Sequence, residues 1–403
     1  MSDCPALHAA VCADPDDDTP RLVYADWLDE NGESRRAAFI RAQIEYARAT
    51  PYSPEARAAL SRAAELERGH HNEWAESVVG LVSEHVFERG FVGCVTADVG
   101  TLERHADRIF RSEPIRGLRL LRYPNSPQSP SFETIRSSVG PGTQLSPLGA
   151  GNRGSALAHA TREWVSLRGA YELPHLRRIR VLEFTLGGCR DLLDEDYEAL
   201  LHCPNLGSVE DLSFPQCPVA PDRIAELLES DALPGLTGLA FPQVTHVGER
   251  LSAALHRCTH RRLKRLDLTG VYFTSESLRR LVQSPPLREI EELRLGCLTP
   301  RNGFGPAHYF NLGWVLPWDR LYLLDLSGQQ IGDENLREIT RNPDARGLRW
   351  LGLANNGLAG EAVRELLESR YLDLYLLDVS GNFLSDDHIA QLRRRFPNAV
   401  IVH

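Results

Sequence analysis

The sequence predicts an α/β horseshoe, with parallel strands on its concave side and helices on its convex side, preceded by a small all-helical module. Two observations carry that prediction. First, eight short segments share one spacing of apolar residues: IRVLEF, VEDLSF, LTGLAF, LKRLDL, IEELRL, LYLLDL, LRWLGL and LYLLDV. Their central leucines are Leu182, Leu212, Leu239, Leu266, Leu293, Leu324, Leu351 and Leu377, with steps of 30, 27, 27, 27, 31, 27 and 26 residues. Second, a segment of helical period follows these strands, as in IGDENLREIT, LAGEAVRELLES and LSDDHIAQLRRRF. A unit of about 27 residues has room for a whole helix behind each strand. IRGLRL, centred on Leu118, and FVGCVT near Cys94 read as earlier, degenerate copies.

Ahead of the repeats, residues 1 to about 85 read as helical. The acidic run DPDDDTP leads into Thr19-Pro20, where Thr19 is expected to cap a helix and Pro20 to occupy its first turn. Asp16, Asp17 and Asp18 then sit near the positive end of the helix dipole. Leu22, Ala25 and Leu28, with Val23 and Trp27 beside them, form the apolar face, and Asn31-Gly32 closes the helix. A calcium loop beginning at Asp14 fails on spacing, because Thr19 stands where glycine is required and Ala25 where the bidentate glutamate belongs. Ser34 is expected to cap a second segment carrying Phe39, Ile40, Gln43 and Ile44, and Ser53-Pro54 to open a third with Leu60 and Ala64.

Two family resemblances follow from these residues. The stretch DPDDDTPRLVYADWLDENGESRRAAFIRAQ resembles the repeat-companion domain, a short N-terminal module placed ahead of repeats in certain bacterial proteins. The match spans roughly Leu7 to Gln43 and rests on Asp14, Pro15, Asp18, Pro20, Arg21, Tyr24, Ala25, Asp26, Trp27, Leu28 and Phe39-Ile40-Arg41. The repeats fit the L-x-x-L-x-L pattern of leucine-rich repeats and, at this length, resemble the ribonuclease-inhibitor-like class. Together they imply a bacterial, cytoplasmic architecture of residues 1–85 as the module and 86–403 as the repeat domain. They imply no particular chemistry.

Composition narrows the function classes. The net charge is -10, and residues 1–34, with nine acids against Arg21 alone, account for most of it. The remainder is near neutral, which argues against nucleic acid and anionic membranes as general partners. Every basic residue except Lys264 is Arg, spread along the whole chain in the manner of a coding bias. The acidic start lacks the long apolar core of a secretory signal, and no apolar run approaches the ~20 residues that span a bilayer. A cytoplasmic protein whose eight cysteines stay reduced is the expectation.

Two interruptions break the period. Between Leu118 and Leu182, the Pro-, Ser- and Gly-rich stretch at about 124–154 reads as a flexible insertion. The 31-residue step after Leu293 adds Phe304, His308, Tyr309, Phe310, Trp314 and Trp318, rings expected to pack largely within the enlarged repeat.

Position +5 from the central leucine suits a buried Asn or Cys that satisfies backbone groups where the strand ends. Asn356 and Asn382 occupy it, with Gln329 and Cys217 as variants. Cys203 is expected to be a small residue closing a helix. His256, Cys258 and His260 in HRCTH lack a companion pair to complete four zinc ligands, and His70-His71 is equally bare, so no metal or other cofactor is expected. No P-loop, G-x-G-x-x-G, G-x-S-x-G or H-E-x-x-H occurs, so no catalytic residue is assigned and the chain reads as non-enzymatic.

The concave surface is therefore the candidate site. Side chains alternate along a strand, so residues at -1, +1 and +3 from each central leucine point away from the core. The middle repeats place Arg265, Asp267, Glu292 and Arg294 there, mixed in sign and able to pair with one another. The last repeats align Leu323, Trp350 and Leu376, with Asp325 and Asp378 beside them. The expectation is a protein-protein interaction module that binds a protein partner through Leu323, Trp350, Leu376, Asp325, Asp378, Arg265, Glu292 and Arg294. The competing expectation for the apolar row is that a terminal segment, or the 300–318 insertion, folds over it. The alternative function is a regulator of an enzyme, such as a GTPase activator, presenting Arg301-Asn302 from a rim loop. Limited proteolysis should nick the chain first within 124–154. Fragments arising elsewhere while this stretch stays intact would show that it is ordered.

Overall fold

The computed structural model of the chain describes residues 4–121, 166–185, 194–215, 221–242, 248–258, 263–296 and 316–403. The 124–154 insertion, Cys217, His260, Arg301-Asn302 and the rings of the 300–318 cluster other than Trp318 lie outside the described residues. Helices α1 (Pro5–Ala13), α2 (Thr19–Glu30), α3 (Ser34–Arg48) and α4 (Pro54–Glu67) come first. A hairpin, β1 (Glu84–Glu88) and β2 (Phe91–Asp98), then opens the sheet and is followed by α5 (Val99–Ser112) and β3 (Gly117–Leu121).

The repeats proper carry short strands: β4 (Val181–Thr185), β5 (Asp211–Ser213), β6 (Gly238–Ala240), β7 (Arg265–Asp267) and β8 (Glu292–Arg294). They continue as β9 (Leu323–Asp325), β10 (Trp350–Gly352), β11 (Leu376–Asp378) and β12 (Val400–Val402). These twelve strands form one sheet in sequence order. Only β1 against β2 is antiparallel, and from β2 onward every strand runs parallel to its neighbours. This is the leucine-rich-repeat horseshoe that the repeat pattern predicts.

The register pairs core leucine with core leucine, for example Leu212 with Leu239 and Leu324 with Leu351. All of these leucines are buried. Two residues on, Phe184, Phe214 and Phe241 stack face to face, with ring centroids 5.2 and 5.5 Å apart, in the middle of the core. Such stacking adds to the area that each ring buries. Trp318 is also buried, within the core.

The asparagines at +5 behave as the spacing predicts. Asn356 Nδ2 donates to the carbonyls of Leu326 (2.9 Å) and Ala354 (3.3 Å), while its Oδ1 accepts from the Ile331 amide at 3.2 Å. Asn382 repeats the motif one unit later: its Oδ1 accepts from the amides of Asn356 and Leu358, and its Nδ2 donates to Leu353 and Val379. Gln329 Nε2 reaches the Leu295 carbonyl in the same way. Cys203 ends its helix with Sγ directed at the Tyr171 carbonyl, 3.2 Å away.

The helical module departs from expectation in its caps. Thr19 is the first helical residue rather than the cap, and its amide donates to Asp17 Oδ1 at 2.8 Å. Asp17 serves the helix start in its place, its carboxylate reaching forward two residues to that amide. Ser34 likewise lies inside α3, without a capping bond. Ser53 does cap α4, accepting from the Ala56 amide at 3.1 Å. On α2, Ala25 and Leu28 are buried, whereas Val23 faces solvent.

Asp16 does not serve the helix dipole. Its Oδ2 bridges Arg116 (2.5 Å) and Arg180 (2.6 Å), the residues two before the core leucines of β3 and β4. Asp18 pairs with Arg48 at 2.8 Å and with Arg89 at 3.4 Å. Buried Arg21 ties the module to the hairpin, donating to the carbonyls of Arg89 (3.2 Å) and Pro15 (3.0 Å). Gln43 Oε1 accepts from the Gly90 amide at 2.7 Å. The acidic run is thus the cement between module and repeats.

Where α3 meets the hairpin, Arg36 is buried among Phe39, Trp74, Phe87 and Phe91. Glu113 is buried nearby and accepts from Ser77 Oγ (2.6 Å) and the Val92 amide (3.2 Å). Burial dominates its titration and pushes its carboxyl up to about 7, although those hydrogen bonds and Arg36 pull the other way.

Two predictions follow from this packing. Asn356→Ala should destabilise the fold by roughly 1–3 kcal/mol in urea denaturation, the scale for orphaned buried backbone groups. An unchanged midpoint would mean that the side chain is dispensable. A carboxyl whose folded pKa is raised stabilises the fold fully below its unfolded value of 4.5 and loses that contribution as pH rises through about 7. Glu113→Gln should therefore gain melting temperature relative to wild type as pH rises from 5 to about 7.5, and a gap independent of pH would refute the assignment.

Candidate functional site on the concave face

Strand register lines up two rows of side chains on the concave face. One residue before each core leucine come Asp211, Gly238, Arg265, Glu292, Leu323, Trp350 and Leu376. One residue after come Asp267, Arg294, Asp325, Gly352 and Asp378.

In the middle of the sheet Arg265 is paired, but with Asp211 rather than Glu292. Its Nε and Nη2 donate to Asp211 Oδ1 and Oδ2, each at 2.9 Å, in the two-pronged geometry that suits a guanidinium. The pair reaches across β6 because Gly238 lies between them. A Cβ there would stand 1.7 Å from Asp211 Oδ1. Glu292 is half-buried. Burial raises its carboxyl pKa, and the charges of Arg294 and Arg265 oppose the rise.

Toward the C-terminus, Leu323, Trp350 and Leu376 are register partners on adjacent strands and form a continuous apolar strip, as expected. The strip is not open. Leu323 is 0%, Trp350 5% and Leu376 5% exposed, and all three pack with Tyr52 in one cluster. The covering element is the turn between α3 and α4, from the helical module. Tyr322 stacks on Tyr52 with centroids 6.3 Å apart, and its hydroxyl donates to the Pro51 carbonyl. Arg57, in the first turn of α4, donates to the carbonyls of Tyr375 and Asn398, each at 2.9 Å. An apolar strip of this size is costly in water, and the module removes that cost.

Arg294 belongs with this strip rather than with the middle of the sheet. It is buried, its guanidinium carbon lies 5.1 Å from the centre of the Trp350 ring, and Nη2 donates to the Tyr52 hydroxyl at 3.3 Å. Gly352 makes room beneath the ring, because a Cβ there would lie 2.8 Å from Trp350 Cζ3 and 2.3 Å from Asp325 Oδ1.

Asp325 and Asp378 turn back on their own loops. Asp325 Oδ1 accepts from the Ser327 amide at 3.0 Å, and Asp378 Oδ1 accepts from the Ser380 amide (3.0 Å) and hydroxyl (2.7 Å). Asp267 does the same for Thr269. Burial raises the Asp325 carboxyl pKa, against the pull of the Ser327 bonds and the Arg294 charge. These carboxylates shape the turn that leaves each strand.

Four residues of the site escaped the sequence reading: Tyr52, Arg57, Tyr322 and Tyr375. The two repeat tyrosines precede their core leucines by two residues, at the leading end of the strand, in the nearly identical hexapeptides LYLLDL and LYLLDV. That duplication was the available signal. For Tyr52, in PYSP, the local sequence signals only a turn.

The remaining candidates take structural roles. Cys258 is buried with Sγ 3.3 Å from the Ala254 carbonyl. His70 pairs with Glu73 at 2.7 Å and stacks on Trp74. Among the described residues no group of three His, Cys, Asp or Glu side chains could hold a metal ion, and no helix is long and apolar enough to cross a membrane.

Fold and face define the class: a leucine-rich-repeat horseshoe whose apolar strip on the last strands is covered by its own N-terminal helices. No protein-family model matches the chain, and no curated protein does. Among solved structures, a leucine-rich-repeat protein of Leptospira interrogans is similar at 14% identity, over 57% of this chain and 62% of that one, with a TM-score of 0.25. The chain thus spans less than two thirds of that protein. The strand register and repeat spacing above are what assign the architecture.

Trp350→Ala should destabilise the fold by about 3–5 kcal/mol in chemical denaturation, the range for emptying a buried aromatic site. A loss below about 1 kcal/mol would show that the ring is solvated and the cover loose.

Proposed function

We propose that the chain is a non-enzymatic, cytoplasmic scaffold that binds a protein partner through the concave face of its repeats. Its units are a repeat-companion-like module at 1–85 and a ribonuclease-inhibitor-like repeat domain at 86–403. One observation carries this reading: the repeats build a contiguous apolar strip, Leu323, Trp350 and Leu376, on the face opposite their own core, and a tyrosine from outside the repeats, Tyr52, already docks there. A repeat domain needs no such strip for its own packing, since its leucines and phenylalanines already fill the core. Large aromatic anchors set among polar groups are the usual centre of a protein interface. Arg294 lies over the Trp350 ring beside the strip, Asp325 and Asp378 brace the turns that leave the strands, and Arg265 and Glu292 extend the face toward the middle repeats. The enzyme-regulator alternative rests on Arg301-Asn302, outside the described residues, and no observation favours it.

Affinity capture with the full chain tests this reading. Arg265→Glu and Glu292→Arg each reverse a half-buried charge of the concave face, and Glu368→Arg reverses an exposed charge on the helix Gly360–Glu368 that follows β10. A partner retained by wild type and Glu368→Arg, and weakened at least tenfold by either concave variant, supports the proposal. Equal capture by all variants would overturn it.

A further inference from the structure

We propose that the strip around Trp350 is a recognition site for a tyrosine carried on a tight turn, and that Tyr52 is its resting, intramolecular occupant. The inference rests on the concave-face reading and names the chemistry of its partner: a protein segment presenting Tyr after Pro, with Arg five residues beyond.

The seat reads every part of such a segment. The ring lies against Leu323, Trp350 and Leu376. The phenol accepts from Arg294, and the carbonyl before the tyrosine accepts from Tyr322. The arginine, five residues on, is held by two backbone carbonyls at the leading ends of the last strands. A site that merely excluded water would have no use for four hydrogen bonds matched to one turn and the helix start beyond it.

Two observations favour an exchangeable occupant over permanent packing. Tyr52 sits at φ +63°, in the left-handed region that a bulky side chain seldom adopts, so the seated turn carries backbone strain. Trp350 Nε1, at the centre of the strip, is buried and has no hydrogen-bond partner among the described residues. The resting occupant thus leaves a donor unused, and a partner with an acceptor beside its tyrosine satisfies it. Because Tyr52 is tethered, it competes at an effective concentration in the millimolar range, which keeps the site closed to weak ligands.

The test uses the full chain and a labelled peptide of residues 48–58, RATPYSPEARA, followed by fluorescence anisotropy. The double variant Tyr52→Ala, Arg57→Ala should bind the peptide at least tenfold more tightly than wild type does. Replacing the peptide's tyrosine by alanine, or adding Trp350→Leu to the double variant, should abolish the gain. Should the double variant melt before it can be measured, Arg57→Ala alone, which removes two of the bonds that hold the Tyr52 segment in place, should bind several-fold better than wild type. Peptide binding no tighter than wild type in the variants that fold, or indifferent to the peptide's tyrosine, would overturn the proposal and make Tyr52 fixed internal packing. That result would leave the concave-face reading to its own test, which uses only the charges of the middle repeats.

Discussion

A mismatch of widths governs this molecule. Parallel strands sit about 4.8 Å apart, whereas helices packed side by side need 8–10 Å. Alternating the two in every repeat forces the sheet to the inside of a curve. The register that pairs each core leucine with the next admits no slippage, because a shift of one residue would turn the leucines out of the core. Curvature is therefore built in repeat by repeat, and the strand ends converge on whatever occupies the concavity.

The helical module exploits that convergence. From the Gln43 contact with the hairpin to Tyr52 on β9–β11, the chain can span at most about 33 Å: five helical residues, a short turn and two side chains. Along the sheet, β2 and β10 are eight strand steps apart, or about 38 Å. A short chord can join the two only across a curved arc. Asp16 on Arg116 and Arg180 fastens one end of the chord, and Arg57 on the Tyr375 and Asn398 carbonyls fastens the other. All of these contacts fall at the leading ends of the strands, the rim on which the module lies.

How much of this was legible depended on the range of the interaction. The repeat period, the strand positions around Leu182 to Leu377 and the roles of Asn356 and Asn382 are local, set by spacing within one unit, and the sequence shows them directly. The apolar row was legible too, since register follows from the period. Its cover was not. Tyr52 and Trp350 are 298 positions apart (350 minus 52), and nothing within either segment specifies the other. The acidic run shows the same limit. Asp16 to Asp18 look like helix-dipole residues when read locally, and only the folded chain brings Arg116, Arg180 and Arg89 to them.

The chord also changes how the repeats share stability. In an open solenoid each unit touches only its neighbours, so terminal units fray independently and cooperativity decays along the array. Here the first repeats and the last are both anchored to one helical module, whose own core includes α3 residues Ile40 and Ile44 and the hairpin residue Phe91. Fraying of the final strands must therefore unseat Tyr52 and Arg57, which disturbs the helices that hold the hairpin at the other end. A single long-range contact thus couples units that the repeat architecture would leave independent. The same contact that hides the apolar strip is the one through which occupation of that strip would be felt at the opposite end of the molecule.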